Sequence, residues 1–444
     1  MESSGLGKIL KKVLIIGAGW AGLSAAVQAT QRGLQVTLVE AKTELGGRAR
    51  SVNLNGLTLD NGQHILIGAY RATLALMARV GLRPEQLLLR QKLSLKDKSG
   101  KGFSLVGFEW LSPSLRFLIG TLNCTNWTFK DKYSLISLAA KWSFNRFICR
   151  DTESVEDLCK GLSTKVLDSF ISPLCLSAFN TPIELSSGRV FLKVLQDALL
   201  SGSGSSDFLI PRCDLGALFP HACENWLLQH GCIIQKGERI ERLSDLENQF
   251  EAIIVACDPT NAARLINAVN PKWSQVTQNL EHTQIATTYI RCKDRGFKAL
   301  CNPLIMLSSD AANKDQVHAP AQFVFDRGYL FKDNPDSIEA IANRGILSFV
   351  SSYATLPNEQ ISLAVMRQAR EELELSELEV LGTILERRAA FCCKPGLIRP
   401  TDQVADKVWV CGDYVRGPYP STLEGAVLSG REVAENVFSS LYRN

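Results

Sequence analysis

Three glycines and one acid set the first chemical constraint on this 444-residue chain. Gly17, Gly19 and Gly22 stand in G-x-G-x-x-G order, and Glu40 follows 18 residues beyond Gly22. Residues of these types at this spacing suit a dinucleotide: Gly17 permits a tight turn, Gly19 lets a pyrophosphate approach the backbone, and Gly22 lets a helix pack on a strand. An acid at this distance accepts from a ribose hydroxyl. A second cluster, Gly46-Gly47-Arg48, offers Gly47 as a turn residue and Arg48 as a cation suited to a dianionic pyrophosphate. Asp60 to His64, reading D-N-G-Q-H, again puts a glycine where backbone can come close to a ligand. Near the other end, Gly412-Asp413 and then Thr422, Leu423 and Glu424 lie between an apolar strand pattern and a helix pattern.

The elements needed to position these residues are legible around them. Val13 to Ile16 form a short buried-strand run, a helix follows Gly22, and Gln35 to Val39 form a second strand ending at Glu40. Ser51 to Asp60 reads as two alternating strands joined by Asn55-Gly56, a hairpin signal. Cys232 to Ala256 predicts three more strands, one of them Glu238 to Arg242, and Val408 opens the last strand of the unit. Helices are expected at Tyr70 to Gly81, Ser134 to Ile148, Ser154 to Ile171 and Leu215 to His230. Strands at Thr287 to Arg291, Leu304 to Leu307, Gln322 to Phe325 and Gly345 to Ser351 suggest a second sheet.

The fold class is therefore α/β: a Rossmann-like nucleotide-binding domain assembled from discontinuous segments, plus a mixed-sheet substrate domain with a helical insertion. The expected boundaries are 1–90, 215–270 and 396–444 for the first domain and 91–214 and 271–395 for the second.

Composition narrows the partners. A formal net charge of +4 is small for this length, so no nucleic-acid footprint is expected. Thirteen cysteines without C-x-x-C spacing suggest reduced thiols and a cytoplasmic setting, and five histidines show no metal-ligand spacing. No apolar stretch is long and unbroken enough to span a bilayer. The segment 108–127 is too interrupted to cross one yet apolar enough to dip into one, so it reads either as a core helix or as a membrane-contacting helix.

Taken together, the dinucleotide turn with Glu40, the Gly46-Gly47-Arg48 turn, the D-x-G turn and the C-terminal G-D turn before an E-G-A helix resemble the flavin amine oxidase and carotenoid desaturase superfamily. Four longer strings resemble the hydroxysqualene dehydroxylases of hopanoid synthesis, also described as squalene-associated FAD-dependent desaturases. These are DNGQHILIGAY (60–70), RVFLKVLQDAL (189–199), SDFLIPRCDLGALFP (206–220) and PSTLEGAVLSGR (420–431).

The resemblance implies FAD, held by Gly17, Gly19, Gly22, Glu40, Gly47 and Arg48 at one end. Gly412, Asp413, Thr422, Leu423 and Glu424 lie at the other, with Ile240 against the adenine. It also implies a long-chain isoprenoid substrate, hydroxysqualene, reduced to squalene with loss of water, and an electron donor that recharges the flavin. The proton donor expected from the D-x-G turn is His64. Arg212 with Asp214, and Tyr414 where relatives carry tryptophan, are further pocket candidates.

Two alternatives stay open: a carotenoid-type desaturase running the flavin in the other direction, and a prenyl-lipid carrier on the same fold. A C30 hydrocarbon must be reached from lipid, so contact with the inner face of the cell membrane is expected, with Phe117, Leu118 and Ile119 as contact residues.

Overall fold

A five-stranded parallel sheet carries the dinucleotide motif. In the computed structural model, which describes residues 11–442 apart from 106–109, 247, 295, 298 and 309–317, the strands lie in the order Ile233–Lys236, Gln35–Glu40, Lys12–Ile16, Ala252–Val255, Val408–Val410. Three stretches far apart in sequence thus build one sheet. Its inner strands are covered on both faces, which is why they read as unbroken Val, Leu and Ile runs. The helix Trp20–Gln31 packs on this sheet and against the C-terminal helix Leu423–Tyr442. Small residues let the two helices touch: a Cβ on Gly430 would stand 2.1 Å from the Ala21 carbonyl oxygen, and the Ser24 hydroxyl donates to the Val427 carbonyl at 2.8 Å.

The second sheet runs Leu304–Met306, Phe323–Asp326, Ile346–Ser352, His282–Cys292, Leu378–Phe391. It was expected to be mixed, but every neighbouring pair is antiparallel, a pattern whose connections need no crossover helix. The helix Asn358–Leu373 turns Ile361, Val365 and Ala369 onto a core shared with Ile290, Val324 and Phe349. The hairpin Ser51–Leu54 and Leu57–Asp60 forms in the register set by Asn55 and Gly56, at φ +53° and +82°, as a type I′ turn requires.

Three expected elements differ. Glu238 to Arg242 joins no strand. It passes the end of the strand Gln35–Glu40, its Glu238 N–H donating to the Glu40 carbonyl, and reaches the helix Pro259–Ile266, where Glu241 pairs with Arg264 at 2.8 Å. The helix expected at Leu215 to His230 is two, Leu215–Leu218 and Pro220–Gln229, because the ring of Pro220 cannot continue a helix and Phe219 swings to φ −155°. Ser154 to Ile171 is broken by Gly161 at φ +101° and restarts at Ser163, whose hydroxyl caps the next turn.

One buried ion pair ties the two halves together. Asp60, at the end of the hairpin, accepts from Arg327 at 3.1 Å and from the Leu215 backbone N–H at 2.8 Å. The Tyr289 hydroxyl donates to the Asp60 carbonyl at 2.9 Å. Burial pushes the Asp60 carboxyl up while Arg327 and the Leu215 N–H pull it back. The side chains are 4% and 7% exposed, so removing one partner strands a buried charge. Asp60→Ala is expected to cost about 3–5 kcal/mol, read as a lower urea midpoint with unchanged slope; a shift equivalent to under 1 kcal/mol overturns this account of the joint.

Candidate active site

The glycines of the first turn divide by what surrounds them. A Cβ on Gly17, at φ +107°, would lie 2.7 Å from the Ala256 carbonyl oxygen, and one on Gly22 would lie 1.9 Å from the Gly17 carbonyl oxygen. Protein packing alone demands both. Gly19 is different: a Cβ there would meet nothing closer than Gly47 Cα at 3.8 Å. The neighbouring loop is laced to this turn by the Gly46 N–H donating to the Ala18 carbonyl at 2.9 Å, and Gly47 is held at φ +67°. Gly19 also begins the helix Trp20–Gln31, whose first turn carries no side-chain cap and no acid. Such a helix start, with backbone N–H groups open, suits a phosphate.

Glu40 ends its strand with its carboxylate on the Ala18 N–H at 2.7 Å and the Lys42 N–H at 2.9 Å. The Glu238 N–H donates to the Glu40 carbonyl, which brings the 237–240 stretch beside it. Ile240 there is half-buried, its carbonyl accepting from Arg264.

The two ends of the motif set meet directly. Arg48 forms an ion pair with Asp413 at 2.5 Å, across 365 residues, and donates to the Ala389 carbonyl at 2.8 Å. The Gly412 N–H donates to Ser429 on the C-terminal helix. The Thr422 hydroxyl caps that helix by accepting from the Gly425 N–H at 3.0 Å, and Leu423 begins it. Glu424 points elsewhere: its carboxylate accepts from the Ala72 N–H, the Thr73 N–H and the Thr73 hydroxyl at 2.7–2.9 Å. It thereby caps the helix Arg71–Arg79, so any role at a cofactor falls to its backbone.

The candidates for acid–base work are spread out. His64 is held by a hydrogen bond between Nδ1 and the Gly62 carbonyl at 2.9 Å, and burial lowers its pKa. The carbonyl fixes the proton on Nδ1, so the neutral ring presents Nε2 as an acceptor. Tyr414 is buried, its ring against Gly412 and its hydroxyl without a partner among the described residues. Arg212 does not pair with Asp214. It reaches Asp333 at 3.1 Å, while Asp214 caps the turn Leu215–Leu218 through the Gly216 and Ala217 N–H groups.

Sequence reading missed Arg399. Its guanidinium donates to the carbonyls of Asp413, Tyr414, Gly417 and Tyr419 at 2.5–3.2 Å and lies 4.9 Å from the Phe391 ring centroid. One side chain thus pins the irregular link from Asp413 to Tyr419. No local motif marks such a residue, since its partners are backbone atoms. A cavity of about 530 Å³ beside Leu57, Arg291 and Phe297 contains none of these groups.

Against this geometry, a family model described as flavin containing amine oxidoreductase matches residues 20–210. Hydroxysqualene dehydroxylases of Sinorhizobium fredii and Rhodopseudomonas palustris are 24% and 23% identical, each over 97% of this chain and 99% of the relative. A zeta-carotene desaturase of Zea mays is 24% identical over 95% of this chain and 82% of its own length. Among solved structures, an oxidoreductase from Methanosarcina mazei matches with TM-score 0.68 at 15% identity, covering 96% of this chain and all of that one. A putrescine oxidase matches with TM-score 0.60 at 15% identity over 97% of this chain and 99% of its own.

The glycine pattern separates fold from ligand in a test. Gly19→Ala is expected to cost about 1 kcal/mol or less in stability, through the weaker helix cap, yet to cut the flavin-to-protein absorbance ratio at least tenfold. Gly22→Ala should instead fail to fold. A Gly19→Ala protein that retains full flavin content disproves the assignment of Gly19 to the pyrophosphate.

Proposed function

This chain belongs to the flavin-containing amine oxidoreductases and works with FAD, and from that premise we propose that it reductively dehydroxylates hydroxysqualene to squalene. The supporting observation is its similarity, along nearly the whole chain, to hydroxysqualene dehydroxylases. When bound, reduced FAD supplies a hydride equivalent. The chain's residues do the rest: they grip the cofactor, hold the reacting carbon, exclude water and manage a proton.

Gly17, Gly19 and Gly22 with the open helix start would take the pyrophosphate, and Glu40 a ribose hydroxyl. Ile240 would take the adenine through its backbone. Arg48, Gly47, Gly412 and Asp413 would flank the pyrophosphate and ribityl, and Thr422, Leu423 and the Glu424 backbone would bring the helix start towards the ring. Asp413 and Arg48 hold each other before any ligand is gripped, so the site's two halves are preorganised, which lowers the cost of binding. The departing hydroxyl needs a proton, and an allylic carbon that loses it is stabilised by aromatic faces.

Anaerobic incubation of the protein with dithionite-reduced FAD and hydroxysqualene is expected to yield squalene with oxidation of one flavin per product. Flavin that stays reduced with no squalene formed overturns the reaction. The similarity to zeta-carotene desaturase favours one second reading, removal of hydrogen from an isoprenoid, which would appear instead as a product with a longer conjugated chromophore. A purified protein without flavin absorbance would favour a lipid carrier.

A substrate of this kind reaches the site from lipid, and the exposed surface suggests where. Phe117, expected as a membrane contact, packs inward against Phe103 and Phe170, and Leu118 and Ile119 are half-buried; Phe108 lies outside the described residues. Trp110, Leu115 and Leu122 of that segment do face outward, and the next helix, Phe129–Phe144, extends the apolar surface: Phe129 is 89% exposed and Phe144 88%, with Tyr133 and Ile148 beside them in sequence. Exposed Lys130, Lys141, Arg146 and Arg150 accompany them, and the only acid from 129 to 150 is Asp131, buried in its own helix cap. Exposed aromatic residues among cations suit the interface of an anionic bilayer. Among the described residues no helix is long and apolar enough to cross a membrane, so contact would be peripheral. The double change Phe129→Glu and Phe144→Glu is expected to abolish flotation with phosphatidylglycerol vesicles while leaving thermal stability within about 0.5 kcal/mol; unchanged flotation disproves this face.

A further inference from the structure

Residues in three of the strings that carry the family resemblance, Tyr70, Asp197 and Thr422, lie around the phenol of Tyr419. Tyr419, just before the C-terminal helix, donates its hydroxyl to Asp197 Oδ2 at 2.7 Å. Asp197 Oδ1 accepts from Lys193 Nζ at 2.9 Å, four residues back on the helix Gly188–Leu200. Tyr70, from the end of the D-N-G-Q-H string, faces the same region: its hydroxyl bonds the Thr422 side chain, and both phenols lie within electrostatic reach of Glu424 and of each other.

We propose that Tyr419 binds the hydroxyl oxygen of an alcohol substrate and delivers the proton that lets it leave as water, with Asp197 and Lys193 restoring that proton from solvent. The inference rests on the reading that the substrate is hydroxysqualene.

The outer member of this relay is the wettest. Lys193 has 43% of its side chain exposed and Asp197 17%, while Tyr419 is half-buried. Its position is fixed by backbone rather than by chance packing. Arg399 holds the Tyr419 carbonyl at 2.7 Å together with those of Asp413 and Tyr414. The Tyr419 Cβ lies 3.6 Å from where a side chain on Gly425 would begin, at the first turn of the C-terminal helix. The other candidates do not offer a proton. His64 presents an acceptor, Tyr414 is sealed in the interior, and Arg212 is engaged with Asp333.

Magnitudes favour a phenol for this step. Burial, with Asp197 beside it, pushes the Tyr419 hydroxyl above the usual tyrosine range, and burial does the same to Tyr70. Both stay protonated at neutral pH. A departing hydroxide, whose conjugate acid has a pKa of about 15.7, still outranks a tyrosinate as a base. Rotation about Cζ–Oη turns the phenol hydrogen from Asp197 to the substrate oxygen. The C–O bond then breaks with its electron pair on oxygen, the Tyr419 O–H bond breaks to give water, and the carbon accepts a hydride equivalent, the reductant being the reduced flavin of the proposed reaction. The tyrosinate regains a proton from the Lys193 ammonium through the Asp197 carboxyl. One alcohol, one hydride and one proton become one hydrocarbon and one water.

Two measurements test this. In single turnover of the anaerobically reduced protein, Tyr419→Phe should slow squalene formation at least a hundredfold, the lower end for loss of general acid catalysis, with flavin content unchanged. Asp197→Asn, which leaves the Tyr419 proton in place, should slow it less and keep the solvent deuterium isotope effect. In titrations of the oxidised protein followed by flavin absorbance, wild type should bind hydroxysqualene about tenfold tighter than squalene, and Tyr419→Phe should bind the two alike. A Tyr419→Phe protein that turns over at the wild-type rate overturns the proposal while leaving the reaction intact. Wild type that binds alcohol and hydrocarbon equally overturns it whether or not squalene forms. If wild type discriminates through Tyr419 yet forms no squalene, the reaction and Tyr419 as its acid both fall, and only the hydroxyl-binding half of the proposal stands.

Discussion

The site depends on how closely backbones approach around the helix Trp20–Gln31. On one side Gly22 presses it onto the turn at Gly17, where a Cβ would stand 1.9 Å from a carbonyl oxygen. On the other, Gly430 presses the C-terminal helix onto Ala21, with a would-be Cβ 2.1 Å from that carbonyl. Neither contact tolerates a side chain. Through them the N-terminal helix start, near residue 19, and the segment just before residue 423 are drawn to the same end of the parallel sheet. Arg48 and Asp413 can then pair across 365 residues, because the Gly46–Ala18 bond ties Arg48's loop to one helix start and the Gly412–Ser429 bond ties Asp413's turn to the other helix.

Several acids of the motif strings serve the backbone. Glu424 caps a neighbouring helix, Asp214 caps its own, and Glu40 holds the Ala18 and Lys42 N–H groups. Each satisfies orphan donors that would otherwise be costly to bury. Asp413, Asp60 and Asp197 instead bind cations, and Arg399 is a part-buried cation held by carbonyls. A region with carboxylates turned to structural tasks and guanidinium groups left beside the glycine turns is electrostatically suited to a dianion. Under the proposed function, the same residues would serve folding and cofactor grip at once.

What could be read from the sequence was what is local. The strand, glycine turn and helix at residues 12–31, the Asn55-Gly56 hairpin and the C-terminal strand and helix each announce themselves within a few residues, since turn chemistry and periodicity are short-range properties. The breaks at Phe219 and Gly161 were also local but hidden inside helical periodicity. Arg399, the Asp60–Arg327 pair and the Tyr419–Asp197 contact were not legible. Their partners lie 14 to 267 residues away, and a hydrogen bond to a carbonyl leaves no trace in the identity of the residue that owns it. Arg212 and Asp214 illustrate the opposite error: adjacency suggested a pair, but the turn at Leu215 claimed the aspartate and a distant loop the arginine.

Under the proposed reaction, these long-range contacts also bear on how one site could serve an apolar substrate and a proton. The two demands conflict, because a site dry enough for a C30 hydrocarbon excludes the water that would resupply an acid. A relay resolves the conflict if its outer member is wet and its inner member is a group whose polar tip is small. Lys193, Asp197 and Tyr419 have that order, with the ring of Tyr419 contributing apolar surface and only its oxygen requiring a partner. In the proposed relay the proton path would run along the helix Gly188–Leu200 and need no opening between the cofactor and solvent. Apolar access would be left to a different surface, since the exposed aromatic residues of the helix Phe129–Phe144 lie on the insertion rather than on the parallel sheet. Proton and hydrocarbon would thus enter through separate elements, and water need not accompany either.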